Sequence, residues 1–126
     1  MKDYNTAYIR QEIRSHRKNC AMQGRLEASI RRNGKISETQ MGQLFQLQEK
    51  NATVENWLSL LSEDEAYVIQ RHLIDGITWP RVWAEYGEKW KEYAKCERTL
   101  MRYQEHALKK IQSFMNEQEG IDIREN

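Results

Sequence analysis

Proline and glycine, the residues that interrupt helices most strongly, are scarce in this chain: there are one proline and six glycines among 126 residues. Apolar stretches are short, and none approaches the ~20 residues that a membrane-spanning helix needs. Charged residues are instead plentiful, with 20 Lys or Arg and 19 Asp or Glu. A chain that is poor in helix breakers and rich in helix-forming charged residues is predicted to be all-α, with one domain or one domain and a helical extension.

Cysteine is equally scarce, and the two thiols, Cys20 and Cys96, stand far apart and outside any metal-ligand spacing. We expect no disulfide and interpret both as small, buried or half-buried residues. The first four residues lead directly into a polar helix rather than into the apolar core of a signal peptide. A cytoplasmic protein without a membrane partner is therefore expected.

The residue patterns that indicate catalysis are also missing from the sequence. Its three histidines are scattered, and none is paired with a nucleophile or a carboxylate at a useful spacing. Adjacent acidic residues at positions 63–65 point in different directions around a helix, which does not favour a metal site. We expect neither an enzyme nor a metal or other cofactor.

Residues 1–60 are predicted to form an N-terminal helical hairpin. The first helix runs from about Thr6 to Arg32 and breaks at Asn33-Gly34, while Ser37 and Gln40 have the spacing of a capping box for a second helix, from Glu38 to about Leu61. The hairpin can pack on the rest of the chain or on a second copy, giving a homodimer. The apolar stripe of the first helix is interrupted, so its charges lie either on a solvated face, the commoner case, or at a dimer or phosphate contact.

Residues 61–113 are predicted to form three further helices. Ser62 and Glu65 form another capping box, and Asp75-Gly76 stops the helix that follows. Thr78 can cap a short second helix with Pro80 in its first turn, which Gly87 would end. The third helix starts near Cys96 and is predicted to continue to Ile111. The residues from position 114 onwards are expected to be a flexible acidic tail.

The third helix has two distinct faces. One face is apolar, and the opposite face carries the charged residues Arg98, Arg102, Glu105 and Lys109 together with Met101. This layout suits a helix-turn-helix, in which packing fixes one side of a helix while its outer side enters a DNA groove. The alternative is a small helical bundle whose charges merely face water.

Charge is unevenly distributed although the whole chain carries only +1. Residues 9–35 contain eight basic and two acidic residues, and residues 89–110 contain seven basic and three acidic ones. Residues 62–88 have a net charge of −4, and residues from 114 onwards have −3. Positive charge is thus concentrated on the first helix and on the third helix of the C-terminal part with its preceding linker, where it could neutralise phosphates.

The run CERTLMRYQEHALKKI resembles the end of the DNA-binding region 4 of housekeeping-class (sigma-70) bacterial sigma factors. Its Ala-Leu-basic-basic-apolar ending, at positions 107–111, matches the ending of that family's recognition helix. The acidic run before Val68-Ile69 and the segment from Ile77 to Tyr86 resemble the first and second helices of the region. The resemblance covers about 50 of the 126 residues. Within this group the chain is most similar to phage and prophage late-gene regulators of the RinA and ArpU type.

This resemblance implies a sequence-specific DNA-binding transcription regulator whose partners are double-stranded DNA and RNA polymerase. Four residues are predicted to contact bases in the major groove: Arg98, Thr99, Met101 and Arg102. Five are predicted to contact phosphates: Arg81, Lys89, Lys91, Lys95 and Lys109. The alternatives are an adaptor that docks on RNA polymerase or another regulator without contacting bases, and a DNA-binding protein associated with phage packaging.

The chain departs from the sigma pattern at two places. The usual tight turn before the recognition helix is replaced by residues 88–95, which include Trp90 and Tyr93, and the capping position is Cys96 rather than serine or threonine. Trp83, Tyr86 and Tyr103 are expected in the core because their spacing faces inward. For Trp90 and Tyr93, contact with the core, with DNA or with RNA polymerase remain open alternatives.

Overall fold

The computed structural model of the protein describes residues 4–91 and 95–125, with side chains up to residue 118. Every regular element in these residues is helical, which confirms the predicted all-α class. None of the helices in the described ranges is long and apolar enough to cross a membrane.

The first predicted helix, from Thr6 to Arg32, is in fact two helices: α1 (Thr6–Arg14) and α2 (His16–Asn33). They are separated at Ser15, whose hydroxyl donates a hydrogen bond to the carbonyl oxygen of Gln11 at 3.0 Å. Serine hydroxyls that bond to a carbonyl four residues back bend helices. This break was not predicted, because neither glycine nor proline marks it.

The next helix, α3 (Glu38–Ser59), starts where the sequence predicted. Gly34, at φ 68°, ends α2 in the left-handed conformation that glycine adopts at little cost. The Ser37 hydroxyl then accepts a bond from the Gln40 amide, and the Gln40 side chain accepts one from the Ser37 amide, each at 3.1 Å. The predicted capping box is therefore confirmed. Helix α2 packs mainly along α3.

The capping box at Ser62 and Glu65 is confirmed as well, and it starts α4 (Glu63–Val68). A π-helical segment, Ile69–Ile74, continues α4 without a break. Its wider turns are closed by bonds such as that from the Asp75 amide to the Gln70 carbonyl, at 2.8 Å. As predicted, the helix stops at Gly76, which has φ 70°.

Helix α5 (Trp79–Lys89) carries Pro80 in its first turn, as predicted. Two other predictions for this helix are wrong. Thr78 stands at its N-cap without a side-chain hydrogen bond, and Gly87 lies inside the helix rather than ending it. The helix ends at Trp90, where the backbone leaves helical geometry.

The last helix, α6 (Glu97–Glu125), continues well past Ile111 into the segment that was expected to be a flexible tail. Met115 packs against the core, where its sulfur lies 3.1 Å from the indole nitrogen of Trp57. The Asn116 side-chain oxygen accepts a hydrogen bond from the Tyr4 amide at 3.0 Å. Helical structure extends past Ile111 because Met115 and Asn116 have contacts of their own with the rest of the fold.

Two clusters of buried side chains hold these helices together. The larger cluster joins α1, the end of α3, the π-helical segment and α6, so its members come from both sides of the predicted boundary at residue 60. It consists of Ile9, Ile13, Val54, Trp57, Ile69, Leu73, Ile74, Ala107, Leu108 and Ile111. The smaller cluster joins α4, α5 and the first turn of α6 through Val68, Val82, Tyr86 and Leu100. Both clusters therefore fix the position of α6.

Candidate nucleic-acid interface

Helix α6 exposes one continuous charged strip. Its opposite side is fully buried, since Leu100, Ala107, Leu108 and Ile111 have no exposed surface. With about 100° of rotation per residue, this places Arg102 at the centre of the outer side. The residues of this outer strip line one shallow groove: Arg98, Met101, Arg102, Glu105, His106 and Lys109.

Three of the four residues predicted to contact bases lie together in the outer strip. They are Arg98, Met101 and Arg102. Thr99 lies beside the strip, half-buried, with its hydroxyl oxygen 3.2 Å from the Cys96 sulfur at the start of the helix. The chain thus presents two guanidinium groups around one thioether on a surface that packing holds in place.

The predicted phosphate contacts are more widely spread. Lys109 lies in the outer strip of α6, about two turns beyond Arg102 and three beyond Arg98. Arg81 is exposed on α5 and forms an ion pair with Glu85 at 3.3 Å. Lys89 places its ammonium 5.0 Å from the centroid of the Trp90 ring, where a cation is attracted by the ring face. Lys91 is exposed, and Lys95 is half-buried.

Trp90 is partly buried and packs against the smaller core cluster. Its ring lies 5.1 Å from that of Tyr67, edge to face, and 4.5 Å from that of Tyr86. Of the two aromatic residues whose contacts the sequence left open, Trp90 therefore contacts the core. Tyr93 lies outside the described residues.

The expectation that Trp83 is a core residue is wrong, because 47% of its surface is exposed. Its indole N–H instead donates a hydrogen bond to the Lys95 carbonyl oxygen at 2.7 Å. The bond ties the outer side of α5 to the residue that precedes the N-cap of α6. The other two expectations fit the structure: Tyr86 is buried and Tyr103 packs against the same cluster.

Both cysteines are exposed free thiols, which contradicts the expectation that they are buried or half-buried. Cys96 is exposed because the N-cap residue of α6 lies at the surface end of that helix. The side-chain hydrogen bond with Thr99, followed by backbone amides of the first turn, lowers the pKa of the Cys96 thiol. A thiol can thus take the capping position, although it is a weaker acceptor than a hydroxyl.

The outer strip is tied to α4 through a buried carboxylate. Glu65 accepts a hydrogen bond from the Lys110 ammonium at 2.6 Å and lies 2.5 Å from the imidazole nitrogen Nδ1 of His106. Burial raises the pKa of Glu65, but bonds from Lys110, from the Ser62 amide and from His106 outweigh it and lower this pKa to about 2. Glu65, the capping-box partner of Ser62, therefore remains ionised and orients two neighbouring side chains of α6.

A second polar contact joins the π-helical segment to α5. The Arg71 guanidinium donates two hydrogen bonds to the Glu85 carboxylate, at 2.9 and 3.0 Å, and a third to Asp75 at 2.8 Å. Such a two-pronged bond fixes relative orientation as well as distance. Close by, His72 stacks on Trp79 with 3.9 Å between ring centroids. These contacts brace the turn between the two helices.

No role was predicted for Glu105 or His106, and Arg10 was not expected at this surface. Arg10, on α1, reaches the strip and pairs with Glu105 at 2.7 Å. The helical spacing of His106, four residues after Arg102, could have placed it at the strip. Nothing in the sequence indicates the Arg10 contact, because it joins residues 95 positions apart.

No family model, curated protein or solved structure matches this chain significantly. Within the described part of the chain, no three His, Cys, Asp or Glu residues are grouped so that they could hold a metal ion. The candidate site is thus described by its own geometry: an exposed helical strip with three basic side chains, one carboxylate, one imidazole and one thioether.

Proposed function

We propose that the protein is a sequence-specific DNA-binding transcription regulator of the sigma-like type that phages and prophages encode. In this proposal α4 with its π-helical continuation, α5 and α6 form a three-helix helix-turn-helix, and α6 enters the major groove. Helices α1 to α3 form the N-terminal packing part. The observation that carries the proposal is the grouping of Arg98, Met101, Arg102 and Lys109 on one exposed side of a helix whose other side is fully buried.

The chemistry of this strip fits recognition of a DNA duplex. An arginine can donate two hydrogen bonds to O6 and N7 of guanine, and an apolar side chain such as Met101 can contact the methyl group of thymine. Lys109 would contact a phosphate and so fix the register without selecting a base. The resemblance to sigma region 4 in the same segment, from Leu61 to Ile111, supports the same interpretation.

The proposal is tested by gel shift with the DNA that lies upstream of the protein's own gene, at several salt concentrations. We expect a shift whose affinity falls steeply with salt, because bound Lys and Arg side chains release counterions from the phosphates. A scrambled duplex of the same length and composition is the control. Equal affinity for both duplexes would show that the protein does not select sequence.

A second candidate function is that of an adaptor docking on RNA polymerase, or on another regulator, without base contacts. The observation that favours a protein partner is the exposure of large apolar side chains on α3: 61% for Phe45 and 56% for Met41. The same surface could also join two copies in a homodimer. Co-purification with RNA polymerase without any gel shift would favour the adaptor, and light scattering would show the number of copies.

A DNA-binding protein of phage packaging would share the same strip. The genes next to the one that encodes this chain separate that role from transcription control: neighbouring genes for terminase subunits would favour packaging.

A further inference from the structure

Glu105 is the carboxylate within the otherwise basic outer strip of α6. It follows Arg102 by three residues and Met101 by four, so the three side chains are neighbours on one helical face. Half of the Glu105 side chain is exposed. A carboxylate in this position opposes the binding of phosphates, so its presence needs an explanation if the strip faces DNA.

The carboxylate of Glu105 is held by a residue from another helix. The Arg10 guanidinium donates a hydrogen bond to its Oε1 atom at 2.7 Å. Helix α1, which carries Arg10, is itself fixed, because the neighbouring Ile9 and Ile13 are fully buried in the larger core cluster. Arg10 is thereby placed to orient the carboxylate and to offset its negative charge.

An ionised carboxylate can accept about four hydrogen bonds. The bond to Arg10 therefore leaves acceptor capacity for a donor outside the protein. In the major groove, the donor that pairs with glutamate is the N4 amino group of cytosine. Arg102, one turn earlier, suits guanine. Together the two residues match adjacent base pairs in which a guanine and a cytosine face the helix.

We propose that Glu105 is a specificity-determining residue that accepts a hydrogen bond from the N4 amino group of a cytosine, and that Arg10 is the positioning residue that holds its carboxylate in place. This inference rests on the proposed DNA-binding function and adds to it one base of the recognised sequence.

The test is selection from a duplex library with a randomised central segment, carried out in parallel with wild type, Glu105→Gln, Arg10→Met, Arg10→Lys and Glu117→Gln. Glu117 is an exposed carboxylate on the same helix but outside the strip, so its variant is the matched control. Thermal melts followed by circular dichroism confirm that each variant is folded. The enriched motifs are then compared position by position.

We expect wild type and Glu117→Gln to enrich the same motif with a fixed cytosine. Glu105→Gln should lose about tenfold in discrimination at that position alone and shift towards adenine, because glutamine pairs with N6 and N7 of adenine. Arg10→Met should weaken the same position without creating an adenine preference, and Arg10→Lys should restore part of it. A purely structural role for Arg10 would lower affinity for all sequences alike.

Two results would overturn the inference in different ways. If Glu105→Gln enriches the wild-type motif unchanged, Glu105 only ties α1 to α6, and the proposed function stands. If wild type enriches no motif at all, the DNA-binding proposal and this inference fail together.

Discussion

The Glu65 carboxylate in the first turn of α4 and the Lys110 ammonium of α6 lie 2.6 Å apart, although 45 residues separate them in sequence. The same carboxylate closes the capping box of α4 through the Ser62 amide at 3.0 Å. One side chain thus stabilises the start of one helix and fixes the position of another. Removal of the Glu65 carboxylate should therefore lower the stability of the whole protein.

The pH dependence of stability follows from the pKa of Glu65, which is lowered from 4.5 to about 2 in the folded protein. A carboxylate with a lowered folded pKa stabilises the protein above its unfolded pKa, and this stabilisation is lost as pH falls from about 4.5 towards 2. The shift corresponds to about 3 kcal/mol. Urea unfolding at pH 7 and at intervals down to pH 3 measures this loss directly.

Glu65→Gln should lower the free energy of unfolding by about 2 kcal/mol at pH 7 and flatten its decline in acid, because the buried site loses a paired charge. Glu63→Gln is the matched control: Glu63 lies in the same helical turn but is exposed. If the free energy of unfolding declined with pH in the same way for wild type and Glu65→Gln, this role of Glu65 would be contradicted.

Arg102→Ala and Lys109→Ala should have different effects on DNA binding. Arg102→Ala is expected to cost ~1–3 kcal/mol on a selected site and to relax the preference at one base pair, as for a lost base contact. Lys109→Ala should weaken all duplexes alike and reduce the salt dependence, as for a lost phosphate contact. Fluorescence anisotropy with matched and mutated duplexes measures both effects. Lys50→Ala changes an exposed lysine on α3 and serves as control. If both strip variants bound DNA as wild type does, this side of α6 would be excluded as the DNA-binding surface.

Two glycine-to-alanine substitutions should change stability in opposite directions. Gly76, with φ 70°, needs the left-handed conformation, so Gly76→Ala should destabilise the protein by about 1 kcal/mol. Gly87 lies inside α5, and an added methyl group there would have no neighbour within 4 Å. Gly87→Ala should therefore stabilise by about 0.5–1 kcal/mol. Thermal melts of the pair test the boundary of α5, since a helix that ended at Gly87 would reverse the second result.

Trp83→Phe should remove the hydrogen bond to the Lys95 carbonyl while keeping an aromatic ring at this position. We expect a loss of about 1 kcal/mol in the free energy of unfolding. Faster amide exchange at the first turn of α6 should accompany this loss, because the bond holds Lys95, which lies just before that helix. Unchanged exchange at these amides, measured by mass spectrometry, would show that Trp83 does not anchor the segment.

Local signals in the sequence predicted several of the helix starts and stops. The capping boxes at Ser37 and Ser62, the stops at Gly34 and Gly76, and the place of Pro80 depend on residues within one turn of each other, which a sequence displays directly. The apolar side of α6 was equally visible, because its period is that of a helix. Arg98, Met101, Arg102 and Lys109 fell on one face for the same reason.

Features that depend on distant partners were missed. The break at Ser15 lacks a strong helix breaker, and the extension of α6 past Ile111 is supported by contacts of Met115 with Trp57 and of Asn116 with Tyr4. The exposure of Trp83 follows from its bond to the segment before α6 rather than from its spacing within α5. The pairing of Arg10 with Glu105 likewise requires α1 and α6 to be packed together first.

Helix α2 contains no buried residue, in contrast to every helix that contributes to the two core clusters. Opening of α2 away from α3 would therefore remove no member of either cluster. Backbone amides of α2 should exchange with solvent through such local opening, at a much lower free energy than the amides of α6 near Leu108. The chain is thus expected to behave as two units of unequal cooperativity: α2 with the facing part of α3 can unfold and refold while the part that presents Arg98 and Arg102 remains intact.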